Sequence, residues 1–317
     1  VILEEIHRNG CNAAACHAQM YTMGTVLRHG SPEQKAQYLP GIADGSLRLQ
    51  AFGVTEPTSG TDTLALKTTA RRDGDDYVVN GQKVWISRAL QSDLMLLLAR
   101  TTPLPDVKKK SEGLSVFLVD IRGAQERGMT IRKLETMINH QTTEIFFDNF
   151  RIPASSLIGT EGQGFRYILD GMNAERILVA AECLGDAWFF VRKSAAYASE
   201  RVVFDRPIGA NQGVQFPIAR AYAEARAADL MNRSAAALFD AGAPCGAEAN
   251  MAKLLSSEAS WHAAEATLQT HGGFGYAREY DVERKWRETR ILQIAPVSTN
   301  LILGYLGQHV LGMPRSY

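Results

Sequence analysis

The sequence predicts an α+β protein with a short helical N-terminal block, a central antiparallel β-barrel or sandwich, and a C-terminal four-helix bundle. Three observations predict it. Residues 1–47 are rich in helix formers. From about 50 to 153, short apolar runs alternate with turn residues. From about 162 onward, apolar residues recur at spacings of three and four. The expected domains are 1–49, 50–156 and 157–317.

In the first block, Ser31-Pro32-Glu33-Gln34 reads as a helix start, with Ser31 as N-cap and Gln34 three residues on. Pro40-Gly41 is expected to stop that helix. The chain opens at Val1 without a cap inside a helical pattern, which predicts an incomplete (truncated) first domain. In the β block, Tyr77-Val78-Val79 and Val84-Trp85-Ile86 flank Asn80-Gly81, a hairpin signal. Residues 95–98, 114–119 and 144–147 are further short strands. In the third block, Ile177, Ala181, Leu184, Trp188 and Val191 form one face of a long helix. Helices follow at about 213–240, through Met251, Leu254, Ala259 and Ala263 to Gly272-Gly273, and at about 298–311.

Composition narrows the function. Hydrophobic residues make up 45% of the 317, enough for a sizeable core. Lys+Arg and Asp+Glu both number 34, and a net charge of zero argues against a nucleic-acid partner, which normally needs a basic surface. Four cysteines without a CxxC pair form neither a disulfide framework nor a zinc ribbon. No apolar run approaches the roughly 20 residues of a membrane span. A cytoplasmic location is the default expectation.

Five segments could carry chemistry, and each has a plain structural reading beside it. Phe52-Gly53-Val54-Thr55-Glu56-Pro57-Thr58-Ser59-Gly60-Thr61-Asp62 is a turn, or a stiff loop offering backbone N–H groups to a polar cofactor edge. In Lys83-Val84-Trp85-Ile86-Ser87, Trp85 is a core aromatic, or it shares a sheet face with Ser87 against a flat ring. Glu175, in Asn173-Ala174-Glu175-Arg176, is a helix-start charge or a general base. The segment Arg201 to Gln212 is an inter-helix loop, or two arginines holding a phosphate. Gln269-Thr270-His271-Gly272-Gly273 follows a helix, so it is not a dinucleotide-binding GxGxxG. His271 has no His or Cys neighbour at ligand spacing, and no metal is predicted.

In this order and spacing the segments resemble the acyl-CoA dehydrogenase family of FAD flavoproteins. Val54-Thr55-Glu56-Pro57 resembles one signature of that family. Arg201…Phe204…Gln212, Gln269…Gly272-Gly273 and Arg284…Arg287…Arg290 resemble others, and the likeness runs through nearly the whole chain. The resemblance implies FAD, an acyl-CoA substrate, and α,β-dehydrogenation to a trans-2-enoyl-CoA. It implies electron-transferring flavoprotein as acceptor. By position, Phe52, Val54, Thr55, Trp85 and Ser87 would line the flavin ring and ribityl chain, with Gly60 and Ser298 also at the cofactor. Thr61 would lie near the CoA pyrophosphate. Arg201, Phe204, Gln212, Gln269, Gly272 and Gly273 would bind the ADP half of FAD from a neighbouring subunit. The implied assembly is a homotetramer, a dimer of dimers.

Many members carry the catalytic base in an Ile-Tyr-Glu-Gly-Thr segment. The corresponding residues here are Ile294-Ala295-Pro296-Val297-Ser298, and Pro296 cannot be a base. Isovaleryl- and long-chain-type enzymes instead carry a Glu before an Arg on the long helix after the β domain. Glu175-Arg176 matches that pattern, so the resemblance implies Glu175 as base, with Asn173 and Arg176 supporting the substrate. Pro296 also lacks the N–H that helps bind the thioester carbonyl in the family; the expectation is that a neighbouring N–H, such as that of Val297, replaces it or that the loop is re-registered. Asp205 stands where the family usually has Gly, which predicts a local loop change. Ala14, Ala15 and Ala18 would lie near the acyl-chain end, or else only permit close helix packing. Two alternatives stay open: an acyl-CoA oxidase or flavin monooxygenase on the same fold, and a non-catalytic binding paralogue.

Overall fold

The computed structural model describes residues 1–138 and 141–315. They form two compact units, Ala14–Met172 and Val1–Ala13 with Asn173–Tyr317.

The first unit contains helices α2 (Ala14–His29) and α3 (Pro32–Ala43) and strands β1 (Leu49–Gly53), β2 (Thr69–Asp73), β3 (Asp76–Ser87), β4 (Leu94–Arg100), β5 (Leu114–Asp120), β6 (Met129–Lys133) and β7 (Thr142–Pro153). The capping box forms as expected. The Ser31 hydroxyl accepts the Gln34 N–H at 3.2 Å, and the Gln34 carboxamide accepts the Ser31 N–H at 3.0 Å. The helix does not stop at Pro40-Gly41 but continues to Ala43. A proline so near the end removes only one helix bond, and its carbonyl still accepts the Asp44 N–H at 3.0 Å.

The strands form one sheet in the order β1-β4-β2-β3-β7-β6, with β5 also paired to β4. Most pairs are antiparallel, but β4 runs parallel to β1 and β2. Every residue of β4 is buried. Met95, Leu97 and Ala99 join one core with Tyr77, Phe117, Phe147 and Phe150. Leu94, Leu96 and Leu98 join another with Val26, Ile42 and Ile168. A strand covered on both faces is apolar along most of its length, which explains the run Leu94-Met95-Leu96-Leu97-Leu98-Ala99 before Arg100.

Asn80-Gly81 is not a hairpin turn; β3 runs straight through it. The β2–β3 hairpin turns instead at Gly74-Asp75, where Gly74 has φ +60° and Asp73 pairs with Asp76. Gly81 marks a register shift against β7. Its φ is +144°, and a Cβ there would lie 2.7 Å from the Cα of Thr68, so both conformation and close approach require glycine.

The second unit holds α1 (Ile2–Arg8), the later part of α4 (Gly164–Glu200), the two-strand ribbon β8 (Val202–Val203) and β9 (Arg206–Pro207), α5 (Gln212–Asp240), α6 (Gly246–His271), α7 (Val282–Arg290) and α8 (Thr299–Tyr305). The fourth expected long helix is thus the short α8 followed by a π-helical turn, Leu306–Val310. Buried alanines, among them Ala225 and Ala228 of α5 and Ala252 and Ala263 of α6, let these helices approach closely. Helix α1 crosses α4 at Gly185, where a Cβ would meet the Glu4 carbonyl at 2.3 Å. Beside it, Asp186 accepts from His7 at 2.8 Å and from Lys285 at 2.5 Å. Burial opposes the Asp186 charge, but Lys285 and His7 together hold its pKa below the usual value.

Candidate active site

In the sheet unit the expected cofactor loop follows β1 and is held by a buried ion pair. Glu56 accepts from Lys83 Nζ at 2.8 Å, from the Lys67 N–H at 2.6 Å and from the Thr68 N–H at 2.9 Å. Lys83 also donates to the Val54 carbonyl at 3.0 Å, and the Val84 N–H donates to the Thr55 carbonyl at 2.9 Å. Burial alone would raise the Glu56 pKa; Lys83 and the two backbone donors hold it below its ordinary value. Burial drives Lys83 down to about 8 despite its carboxylate partner. Neither residue is marked for this pairing by its neighbours in the chain. Strand β3 also holds Asp76, Asn80, Gln82 and Ser87, so Lys83 reads in sequence as one more polar residue.

Phe52, Val54, Thr55, Gly60, Thr61, Trp85 and Ser87 all lie on β1, this loop and the end of β3. Trp85 sits at a bulge, where the register against β7 shifts between Lys83 and Ile86. Its φ is +62° and its side chain is 62% exposed. A bulky residue in the left-handed region costs of order 1–3 kcal/mol and points to a functional constraint. Gly60 has ordinary φ, and a Cβ there would meet nothing within 4 Å. The protein's own packing does not require glycine at this place, whereas close approach of a ligand to the backbone would.

In the helical unit, Arg201, Gly272 and Gly273 line one cleft of about 480 Å³ with Tyr197, His271 and Phe274. The Arg201 guanidinium lies 5.5 Å from the Phe274 ring centre, and among the described residues it makes no ion pair. Gly272 has φ +57°, and a Cβ on Gly273 would enter open space. Burial lowers the His271 pKa; the ring stacks on Tyr197 at 4.2 Å, and Nδ1 donates to the Thr267 carbonyl at 2.9 Å. Phe204 stands at the tip of the β8–β9 ribbon, 93% exposed. Phe204 and Asp205 both have positive φ, 53° and 63°, the pattern of a type I′ turn. Asp205 therefore adopts the conformation glycine takes without strain, and the short ribbon keeps its turn. Gln212 opens α5, away from this cleft's lining, and Gln269 lines a second cleft with Arg220 and Glu224.

An unpaired arginine, open-faced glycines and exposed aromatics are the parts that a flavin with a pyrophosphate and an adenine would engage. The residues present fit FAD.

Also in the helical unit, Glu175 lies on α4 and is only 5% exposed. Arg176 donates to the Asn173 side chain at 3.2 Å. Burial lowers the Arg176 pKa, opposed by the charge of Glu175. Across the bundle, Lys253 of α6 donates to the Val297 carbonyl at 2.7 Å, within the segment that contains Pro296. Ser298 caps α8 by accepting the Leu301 N–H at 3.3 Å. The run Arg284, Arg287 and Arg290 is architectural: Arg284 bonds Glu288 and the Gly10 carbonyl, Arg287 bonds Glu283, and Arg290 bonds Gln293.

A sheet unit and a helical unit carrying this residue set suit a protein that binds a flavin dinucleotide. Comparison with known proteins is specific. The chain matches the family models for the acyl-CoA dehydrogenase N-terminal domain over residues 1–46, the middle domain over 51–150 and the C-terminal domain over 162–310. It is 36% identical to acyl-CoA dehydrogenase FadE12 of Mycobacterium tuberculosis, across 100% of this chain and 81% of that protein. It is 32% identical to the mitochondrial short/branched chain specific acyl-CoA dehydrogenase of Rattus norvegicus, across 98% of this chain and 71% of that one. The structure of acyl-CoA dehydrogenase from Geobacillus kaustophilus superposes with a TM-score of 0.91 at 29% identity, covering 98% of this chain and 81% of that one. The chain belongs to the acyl-CoA dehydrogenase family, whose enzymes bind FAD. Among the described residues, no helix is long and apolar enough to cross a membrane.

Proposed function

We propose that this chain converts an acyl-CoA thioester to the trans-2-enoyl-CoA, with Glu175 removing the α-proton. The observation that carries the assignment is a buried carboxylate at Glu175, flanked by Arg176, in a chain whose alternative base position is Pro296. Bound FAD supplies the acceptor for the β-hydride, and Phe52, Val54, Thr55, Trp85, Ser87, Gly60 and Ser298 hold its flavin side. Arg201, Phe204, Gln212, Gln269, Gly272 and Gly273 hold the ADP half for a neighbouring copy, so the working enzyme is a homotetramer built as a dimer of dimers. Thr61 contacts the CoA pyrophosphate. Electron-transferring flavoprotein takes the electrons.

An α-proton is weakly acidic, so the base works only if charge developing on the thioester oxygen is stabilised. Pro296 has no N–H to give, and the Val297 N–H takes that role. Arg176 and Asn173, three turns inside α4 and not at a helix start, hold the turn around Glu175 in one arrangement. Anaerobic mixing with a panel of acyl-CoA thioesters tests the reading. The yellow holoenzyme should bleach, whereas Glu175→Gln should bind FAD and stay yellow. Normal bleaching by that variant would overturn the base assignment.

A further inference from the structure

Lys253 sits on the buried stripe of α6 formed by Ala249, Lys253, Ser256, Ser260, Ala263 and Thr267, where every other residue is small. Its side chain is fully buried, and its ammonium donates to the Val297 carbonyl at 2.7 Å. Among the described residues it makes no ion pair with a carboxylate. The charged and titratable groups acting on it are Cys183 and Arg176 of α4, and Arg176 only adds positive charge. Burial accordingly pushes Lys253 down to about 8. A cation in this position is costly to the fold, and a lone carbonyl is poor compensation. Its one strong contact is to the residue after Pro296, where the family's usual N–H donor is missing.

We infer that Lys253 is the positioning residue of the acyl-binding turn: by holding the Val297 carbonyl it fixes the Val297 N–H toward the thioester oxygen, and its buried positive charge favours the enolate formed when Glu175 takes the α-proton. The inference rests on the proposed function and adds to it the element that replaces what Pro296 removed. The proton moves only from the α-carbon to Glu175; Lys253 keeps its own throughout.

The test uses holoenzyme and three probes, butyryl-CoA, isovaleryl-CoA and octanoyl-CoA, following flavin bleaching in anaerobic stopped flow. With the best probe, Lys253→Met should retain FAD and lose about 10- to 100-fold in the limiting bleaching rate, less than the loss of a direct oxyanion donor. The half-saturating concentration should change less than about threefold, because the turn's hydrogen bond strengthens mainly in the transition state. Lys253→Arg should recover part of the rate. A merely structural lysine would alter FAD content or stability without this split. Should Lys253→Met fail to hold FAD, Lys253→Gln keeps a donor for Val297 without the charge, and its limiting rate is expected to fall. Wild-type rates in whichever variant holds FAD would overturn the role of Lys253 alone. A wild-type enzyme that none of the probes bleaches would overturn the proposed reaction, and Lys253 with it.

Discussion

Each unit buries one lysine against the backbone of a functional segment, and the two are compensated differently. Lys83 in the sheet unit touches the Val54 carbonyl and has Glu56 at 2.8 Å. Lys253 in the helical unit touches the Val297 carbonyl, and among the described residues no carboxylate pairs with it. Burial lowers both to about 8. The difference separates architecture from function. A paired buried charge holds a loop in shape, and breaking the pair strands the partner. A buried cation without a counter-charge is a standing cost that only a ligand's developing charge repays.

The largest effect expected lies outside both lysines and sets the scale. Glu175→Gln should lower the bleaching rate by about 10³-fold, within the range for loss of a general base. Next is Lys83→Met, which leaves Glu56 buried and unpaired. Chemical denaturation should show a loss of about 3–5 kcal/mol, and adding Glu56→Gln should return much of it. If Lys83→Met were as stable as wild type, the pair would not be structural and the contrast would fail. Lys253→Met should behave in the opposite way, with a rate loss and little or no loss of stability, because it removes a charge that had no counter-charge.

The pH dependence sharpens the same contrast. A lysine that titrates near 8 when folded and at its ordinary 10.5 when unfolded leaves the unfolded chain holding more protons between those values. Stability from Lys253 therefore rises with pH across that window, by up to about 1.4 kcal/mol per unit of separation. The bleaching rate should fall as pH rises through about 8, where the folded ammonium is lost, and Lys253→Met should abolish that fall. Arg176 and Cys183 face Lys253; Arg176 stays charged, and burial pushes the Cys183 thiol upward, so neither accounts for a limb near 8. Glu56 works at the acid end. Its depressed pKa contributes stability above the ordinary carboxylate range that is lost as pH falls through the folded value. The smallest effect is expected at Asp205→Gly. Relief of its left-handed conformation should stabilise the ribbon by about 0.5–1 kcal/mol in thermal unfolding, with bleaching unchanged.

Much of this was legible without coordinates because it depends on neighbours in the chain. Helix periodicity, the Ser31–Gln34 capping box and the order helical, β, helical follow from local stereochemistry and the need to bury one face. That Pro296 cannot act as a base is equally local, whereas Glu175 as base rests on the family resemblance and belongs to the proposed function. Asn80-Gly81 misled because local turn preference was overridden by the β7 partner and the close approach of Thr68. Pro40 misled because a helix tolerates one missing donor near its end. What only the tertiary structure decided were contacts between residues far apart in sequence: Glu56 with Lys83, Asp186 with His7 and Lys285, and Lys253 with Val297. A buried charge reads in sequence as any other lysine or aspartate. Its cost, its partner and therefore its use exist only once the chain has removed it from water.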